Sequence, residues 1–298
     1  MTDLKIVDPH VHFWDLERNY YPWLNDRPLI PFRYGDYSKI CRTYLPADYK
    51  RDAAGHDVVK TVYIEAEWDP SDPIGEMDYI AGLRRETGWP NATIGQAWLD
   101  RDDRAEVVER LAGFEFVRGL RHKPPRPNAG PGQAGQSAMA DEHWLEGYAL
   151  LREFGLHFEL QTPWWHLGEA GAMADRFPDI PIVLLHSGLP ADRSPEGLAG
   201  WKAAMAGFAE RPNVAVKISG IGLPGVAWTA DNNRAVVRTI IETFGVDRCM
   251  FASNFPVDSV CGDFDTIFSG YKEITSDLGI EAQAKLFHDN AVRYYGLG

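Results

Sequence analysis

Eight short apolar runs, each closed by turn-forming residues, recur from one end of the chain to the other: LKIVDPHVH, VVKTVYIEA, ATIGQAWL, FEFVRGLRH, LHFELQ, PIVLLHS, NVAVKIS and RCMFASN. Most are separated by a segment with helical spacing, such as RAEVVERLAG or NNRAVVRTIIETFG. In the latter, Val236, Val237, Ile240, Ile241 and Phe244 mark one helix face, and Gly245 is placed to cap its end. Alternating strand and helix need a parallel sheet with crossover helices. Eight strands in 298 residues fit a closed (β/α)8 barrel better than an open doubly wound sheet. No glycine-rich dinucleotide fingerprint follows the first run, which removes the main argument for a Rossmann domain. The expected architecture is therefore one α/β domain over residues 1–298, a single TIM barrel.

Two connections are long. Residues Phe13 to Leu45 are rich in Tyr, Trp, Pro and Arg, and residues Lys123 to Ala140 in Pro, Gly and Ala. Both read as extended βα loops, after strands 1 and 4, and in a barrel such loops sit over the active site. The formal net charge of -13 repels phosphate backbones and anionic lipid headgroups, so the expected partner is a small molecule rather than nucleic acid or membrane. A homo-oligomer stays open. Three widely spaced cysteines, Cys41, Cys249 and Cys261, read as free thiols in a reducing compartment. The strand pattern begins almost at once, leaving no room for a secretion signal, and no apolar run approaches membrane-spanning length. A cytoplasmic location is the expectation.

In a barrel the catalytic groups project from the C-terminal ends of the strands. Here those ends carry His10 and His12, Glu65 and Glu67, Arg121 and His122, Glu159 and Gln161, His186, Lys217 and Ser219, and Asn254 with Asp258 shortly after. Side chains two apart on a strand face the same way, so His10 and His12 can converge on one point. Any one of these polar residues alone is more often a solvated strand end than a site, but the set, gathered at one end of seven strands, points to chemistry. An HxH pair alone is a weak metal signal, because two imidazoles do not fill a tetrahedral site. His186 could supply a third ligand. Trp14, Tyr20, Tyr21, Trp23, Trp164 and Trp165 can stack on a substrate ring or simply pack against the barrel rim.

The segments VDPHVHFWD with YYPWL, VRGLRH, IVLLHSG, VAVKISG, RCMFASNFPVD and KLFHDNAVRYYGL together resemble, in order and over nearly the whole chain, the amidohydrolase-related family of TIM-barrel hydrolases. Within it the likeness is to sugar-acid lactonases such as L-fuconolactonase. The resemblance implies hydrolysis of a cyclic ester, with His10, His12, His186 and position 254 at the catalytic centre. It also implies that some members hold a divalent ion and others work without one. One divalent ion, zinc by preference, held by His10, His12 and His186, and a metal-independent mechanism both stay open.

Position 254 departs from the pattern. Such lactonases read SDWP there and this chain reads SNFP, so Asn254 replaces the acid. An amide is no general base. Water activation then falls to another carboxylate, with Asp258 first and Glu65, Glu67 or Glu159 across the barrel, or to a histidine such as His186. Arg121 and His122, with Trp14, Glu65, Glu159 and Lys217, are the expected substrate-binding set, and a guanidinium fork suits a carboxylate-bearing lactone. Two alternatives remain: a zinc-dependent decarboxylase of an aromatic acid, and a sugar-acid binding protein without turnover.

Overall fold

The computed structural model describes residues 4–125 and 137–298. Its one sheet has eight parallel strands in sequential order: β1 (Ile6–Val11), β2 (Val58–Ile64), β3 (Ala92–Gln96), β4 (Val117–Arg121), β5 (His157–Leu160), β6 (Ile182–Leu184), β7 (Val214–Ile218) and β8 (Cys249–Phe251). Each falls within one of the eight apolar runs, and helices fill the connections, so the barrel read from the sequence is the fold. Helix Ala230–Phe244 buries Val236, Val237, Ile240, Ile241 and Phe244 and ends at Gly245 (φ 76°). The loop after β1 is long and carries a short helix, Pro22–Asn25, and a bridge from Trp14 to Tyr44 before helix Pro46–Asp52. Most of the expected loop after β4 lies outside the described residues. Cys41, Cys249 and Cys261 are free thiols. Among the described residues no helix is long and apolar enough to cross a membrane.

The alternation of each strand divides two cores. Ile6, Tyr63, Leu120, Phe158, Leu184 and Val216 pack outward with the helices. Val7, Val62, Ile64, Ala92, Ile94, Val183, Ala215 and Met250 fill the interior, where Ala291, Tyr295 and Leu297 of the C-terminal segment join them. In β1 the pairing steps from Asp8↔Thr61 to Val11↔Tyr63, three residues against two. This bulge changes the parity of the strand, so that Val7 and then His10 and His12 all serve the interior.

The barrel closes between β1 and β8 just beyond the end of β8. Asn254 N donates to His10 O (2.9 Å), and His12 N donates to Phe255 O (2.8 Å). Beside this seam, Asp8 Oδ1 accepts from Ser253 N (3.0 Å) and Oδ2 from the Tyr49 hydroxyl (2.7 Å).

Above the apolar plug lies a buried ionic layer. Lys217 Nζ is 2.7 Å from Glu159 Oε2, with both side chains fully buried. Glu159 Oε1 also accepts from the Tyr295 hydroxyl (2.5 Å) and meets His157 Nε2 at 3.3 Å. Burial pulls the Lys217 ammonium down to about 8. Burial alone would raise Glu159, but Lys217 and His157 hold it below the usual carboxylate range. Both groups, expected at the substrate, are thus spent on each other in the floor of the site. Removing one partner strands the other charge in the interior, and Lys217→Met is expected to cost about 3–5 kcal/mol of stability, read by denaturant unfolding.

Candidate active site

Five non-glycine residues among those described have a left-handed backbone: Glu67, His186, Ser187, Leu189 and Asn254, with φ between 51° and 58°. Four of them, all but Ser187, line one cavity of about 290 Å³ at the C-terminal end of the barrel. Such backbone strain is held only where the surroundings enforce it, and it gathers at functional sites. The same cavity is lined by His12, Arg33, Arg121, Lys123, Gln161, Trp23 and Phe32.

His12 Nδ1 lies 2.8 Å from the Ile64 carbonyl oxygen, which can only accept. The proton is therefore on Nδ1, and Nε2 carries the lone pair. Burial, then the charge of Arg121, pushes the ring down to about 3, so it is neutral. His186 enters from the turn after β6, with Nδ1 3.0 Å from Ser219 Oγ. Burial, then Arg33 and Arg121, lower it too. Gly220, at φ 62°, permits this packing: a Cβ there would sit 2.6 Å from His186 Nδ1 and 2.8 Å from Arg33 Nη2. His10 lies between the other two, with ring centroids 5.0 Å from His12 and 4.7 Å from His186, and neither of its ring nitrogens has a partner.

Asn254 Nδ2 donates to Asp258 Oδ1 at 2.6 Å, and the same side chain hydrogen-bonds His12, which works against the downward pull on that ring. Asp258 is buried behind it and fully engaged. Its Oδ1 also accepts from the Tyr34 hydroxyl (2.9 Å), its Oδ2 from Gly220 N (2.9 Å), and Arg33 Nη2 lies 3.7 Å away. This carboxylate binds three segments together and does not line the cavity.

Three cations line the cavity. Arg121 is clamped by the Glu65 carboxylate, by Glu65 O (2.6 Å) and by Gln161 Oε1 (3.1 Å). Lys123 pairs with Glu67 at 2.6 Å. Arg33 Nη1 is buried with no partner, and its guanidinium lies 4.6 Å from the Tyr34 ring centroid.

The structure thus brings His10, His12, His186, Asn254 and Arg121 together. It does not bring Trp14 or His122 to the cavity. Trp14 is fully buried, donates Nε1 to Arg42 O (2.7 Å), and meets the edge of Trp23, which does line the cavity. His122 turns outward, where Nδ1 accepts from Leu99 N (3.1 Å) and Trp144 Nε1 (3.0 Å). Glu65 reaches the site only through Arg121. Arg33 and Lys123 had no place in the expected set, and their only sequence signal was membership of the two long loops.

Among the described residues no three His, Cys, Asp or Glu side chains are arranged to hold a metal ion. Three neutral imidazoles, His10 among them with both ring nitrogens unpartnered, are donors of the kind zinc accepts, whereas the Asn254 amide is a poor ligand and the charges of Arg33, Arg121 and Lys217 weigh against a dication.

Beneath the Glu65–Glu67 turn, Glu76 Oε1 accepts from both Ala66 N and the Tyr63 hydroxyl at 2.7 Å. Burial, then the Glu65 charge, raises Glu76 from its ordinary 4.5 to about 8. The unfolded chain releases this proton first, so the contribution is full below about 4.5 and is lost as pH rises toward about 8. Glu76→Gln keeps the shared acceptor, and its melting temperature should exceed that of the parent at alkaline pH while matching it in acid. Trp14→Ala should cost about 3–5 kcal/mol in denaturant unfolding. That loss of stability should be its main effect if Trp14 packs as the structure places it.

Comparison with known proteins bears on the fold and the family. The chain is 37% identical over 297 residues to an uncharacterised protein, y4mH, of Sinorhizobium fredii, covering 99% of each. It is 26% identical to the L-fucono-1,5-lactonase of Burkholderia ambifaria, covering 97% of this chain and 94% of that one. A crystal structure of an amidohydrolase from Burkholderia multivorans with bound zinc superposes with a TM-score of 0.79 at 22% identity, covering 98% of this chain and 99% of that one. The model of the family described as amidohydrolase matches residues 7–297, and the chain belongs to that family.

Proposed function

We propose that the protein opens the lactone of a carboxylate-bearing sugar acid by water attack on the ester carbonyl. The observation that carries this reading is a neutral imidazole, His12, whose unprotonated Nε2 shares one cavity with Arg33, Arg121 and Lys123. The named lactonase among the relatives supports the reaction class.

Ester opening needs a base for water, a donor for the developing oxyanion and an acid for the leaving alkoxide. Asn254 cannot accept a proton, and the oxygens of Asp258 are already engaged behind it. His12 Nε2 is the base: it takes a proton as the water oxygen bonds to the carbonyl carbon. Arg121, held in place by Glu65 and Gln161, receives the charge on the carbonyl oxygen. When the ring C–O bond breaks, the proton on His12 goes to the departing oxygen, leaving an open hydroxy acid. Arg33, whose Nη1 has no protein partner, takes the substrate carboxylate.

Proton release from a panel of aldono-, aldaro- and pyrone-type lactones, measured with and without chelator, tests this. Turnover that survives chelation is expected. Arg33→Met should raise KM about 10–100-fold on carboxylate-bearing lactones, the loss of one charged hydrogen bond, and leave neutral lactones nearly unchanged. His12→Gln should lower kcat by about 10²–10⁴. No turnover on any lactone would overturn the reading, and carbon dioxide release from aromatic acids would replace it with decarboxylation.

A further inference from the structure

Next to the catalytic cavity, and sharing Trp23, Ile30 and Glu67 with it, lies a second groove of about 280 Å³ whose far wall is Trp68, Gln96 and Trp98. None of these three contributes to the chemistry described above. The rings are held rigidly. Arg101 covers the Trp98 ring at 5.1 Å and is itself fixed by Asp103 (2.6 and 2.9 Å) and by Pro70 O (2.8 Å). Trp23 donates Nε1 to Ala66 O (2.9 Å) and stacks on Phe32. Trp68 is 9% exposed and wedged against Tyr21 and Tyr79.

Two buried polar atoms of this wall have no partner: the Trp68 Nε1 donor and the Gln96 Oε1 acceptor. Leaving such groups unpaired costs about 1–3 kcal/mol each, so a ligand that supplies both an acceptor and a donor is favoured. A hydroxyl does both. The charged groups of the groove are carboxylates, Asp26 and Glu67, which disfavour an anion and accept from hydroxyls. Flat indole faces with scattered donors and acceptors suit the apolar face and hydroxyl rim of a pyranose. An aromatic or aliphatic group would leave the two polar atoms unpaired.

We propose that this groove is an outer subsite for a neutral second sugar ring, so that the preferred substrate is the lactone of a disaccharide acid with its lactone ring in the catalytic cavity. The occupant is fixed by the continuity of the two spaces through Trp23 and Glu67 and by the unpaired polar atoms of the outer wall. The assignment of the inner ring rests on the lactonase reading. The outer ring does not, because its recognition can be measured without turnover.

The test is calorimetric binding of lactobionate, cellobionate, maltobionate and gluconate to the wild-type protein, Trp98→Ala and Gln96→Leu, with kcat/KM on the corresponding lactones. At least one disaccharide acid should bind tenfold or more tighter than gluconate. Trp98→Ala should remove that advantage while leaving gluconate unchanged, and Gln96→Leu should reduce it if Trp98→Ala fails to fold. Equal binding of all four acids, no binding of any, or an advantage untouched by both variants would overturn the subsite. A disaccharide advantage in binding with no lactone turned over would keep the subsite and overturn the lactonase reading. Turnover with no disaccharide advantage would do the reverse.

Discussion

The site depends on how the sheet closes. Seven of its joints are parallel strand pairings, but β1 and β8 meet above the end of β8, through His10 O with Asn254 N and His12 N with Phe255 O. The residues that close the barrel are therefore residues that line the candidate site or their immediate neighbours. Asp8 secures the joint from the helix side by bonding Ser253 N and the Tyr49 hydroxyl, and the bulge beside it turns both histidines inward. Closure and the placement of these side chains are one constraint, so a change that loosens the seam displaces the imidazoles as well.

Electrostatics follow from that enclosure. The cations close to the imidazoles are largely matched: Arg121 with Glu65, Lys123 with Glu67, Lys217 with Glu159, and Arg33 more distantly with Asp258. Matching lets them remain charged in a poorly solvated space, and their combined field helps burial keep the histidines neutral. Arg33 is the loosest of the four, at 3.7 Å from its carboxylate and with one nitrogen unpartnered. An incoming anion completes its coordination, whereas Arg121 is already fixed by three acceptors.

The strands and the family were legible because a closed parallel barrel repeats one simple pattern, apolar run then amphipathic helix, eight times. The convergence of His10 and His12 was legible from the period of two. His122 shows the same rule from the other side: it directly follows Arg121, adjacent strand residues face opposite ways, and only Arg121 can point inward. Lys217 and Glu159 do face inward, but strand pattern gives no depth, and their mutual pairing below the cavity depends on contacts between β5 and β7. Trp14 was legible as an aromatic near the rim but not as the prop behind Trp23. Arg33 was not legible as a site residue, because its position is set by a loop whose anchor, Tyr34 on Asp258, joins residues 224 apart in sequence.

Asn254 is best understood together with Asp258. A carboxylate at position 254 in the same rotamer would face Asp258 Oδ1 at 2.6 Å, and two carboxylates that close cannot both ionise. The amide instead donates to Asp258. It lets that residue remain an acceptor for Tyr34, Gly220 and Arg33, and so hold the strand 1 loop over the cavity. His12, its tautomer fixed by Ile64 O, is the neutral imidazole that shares the cavity with this amide.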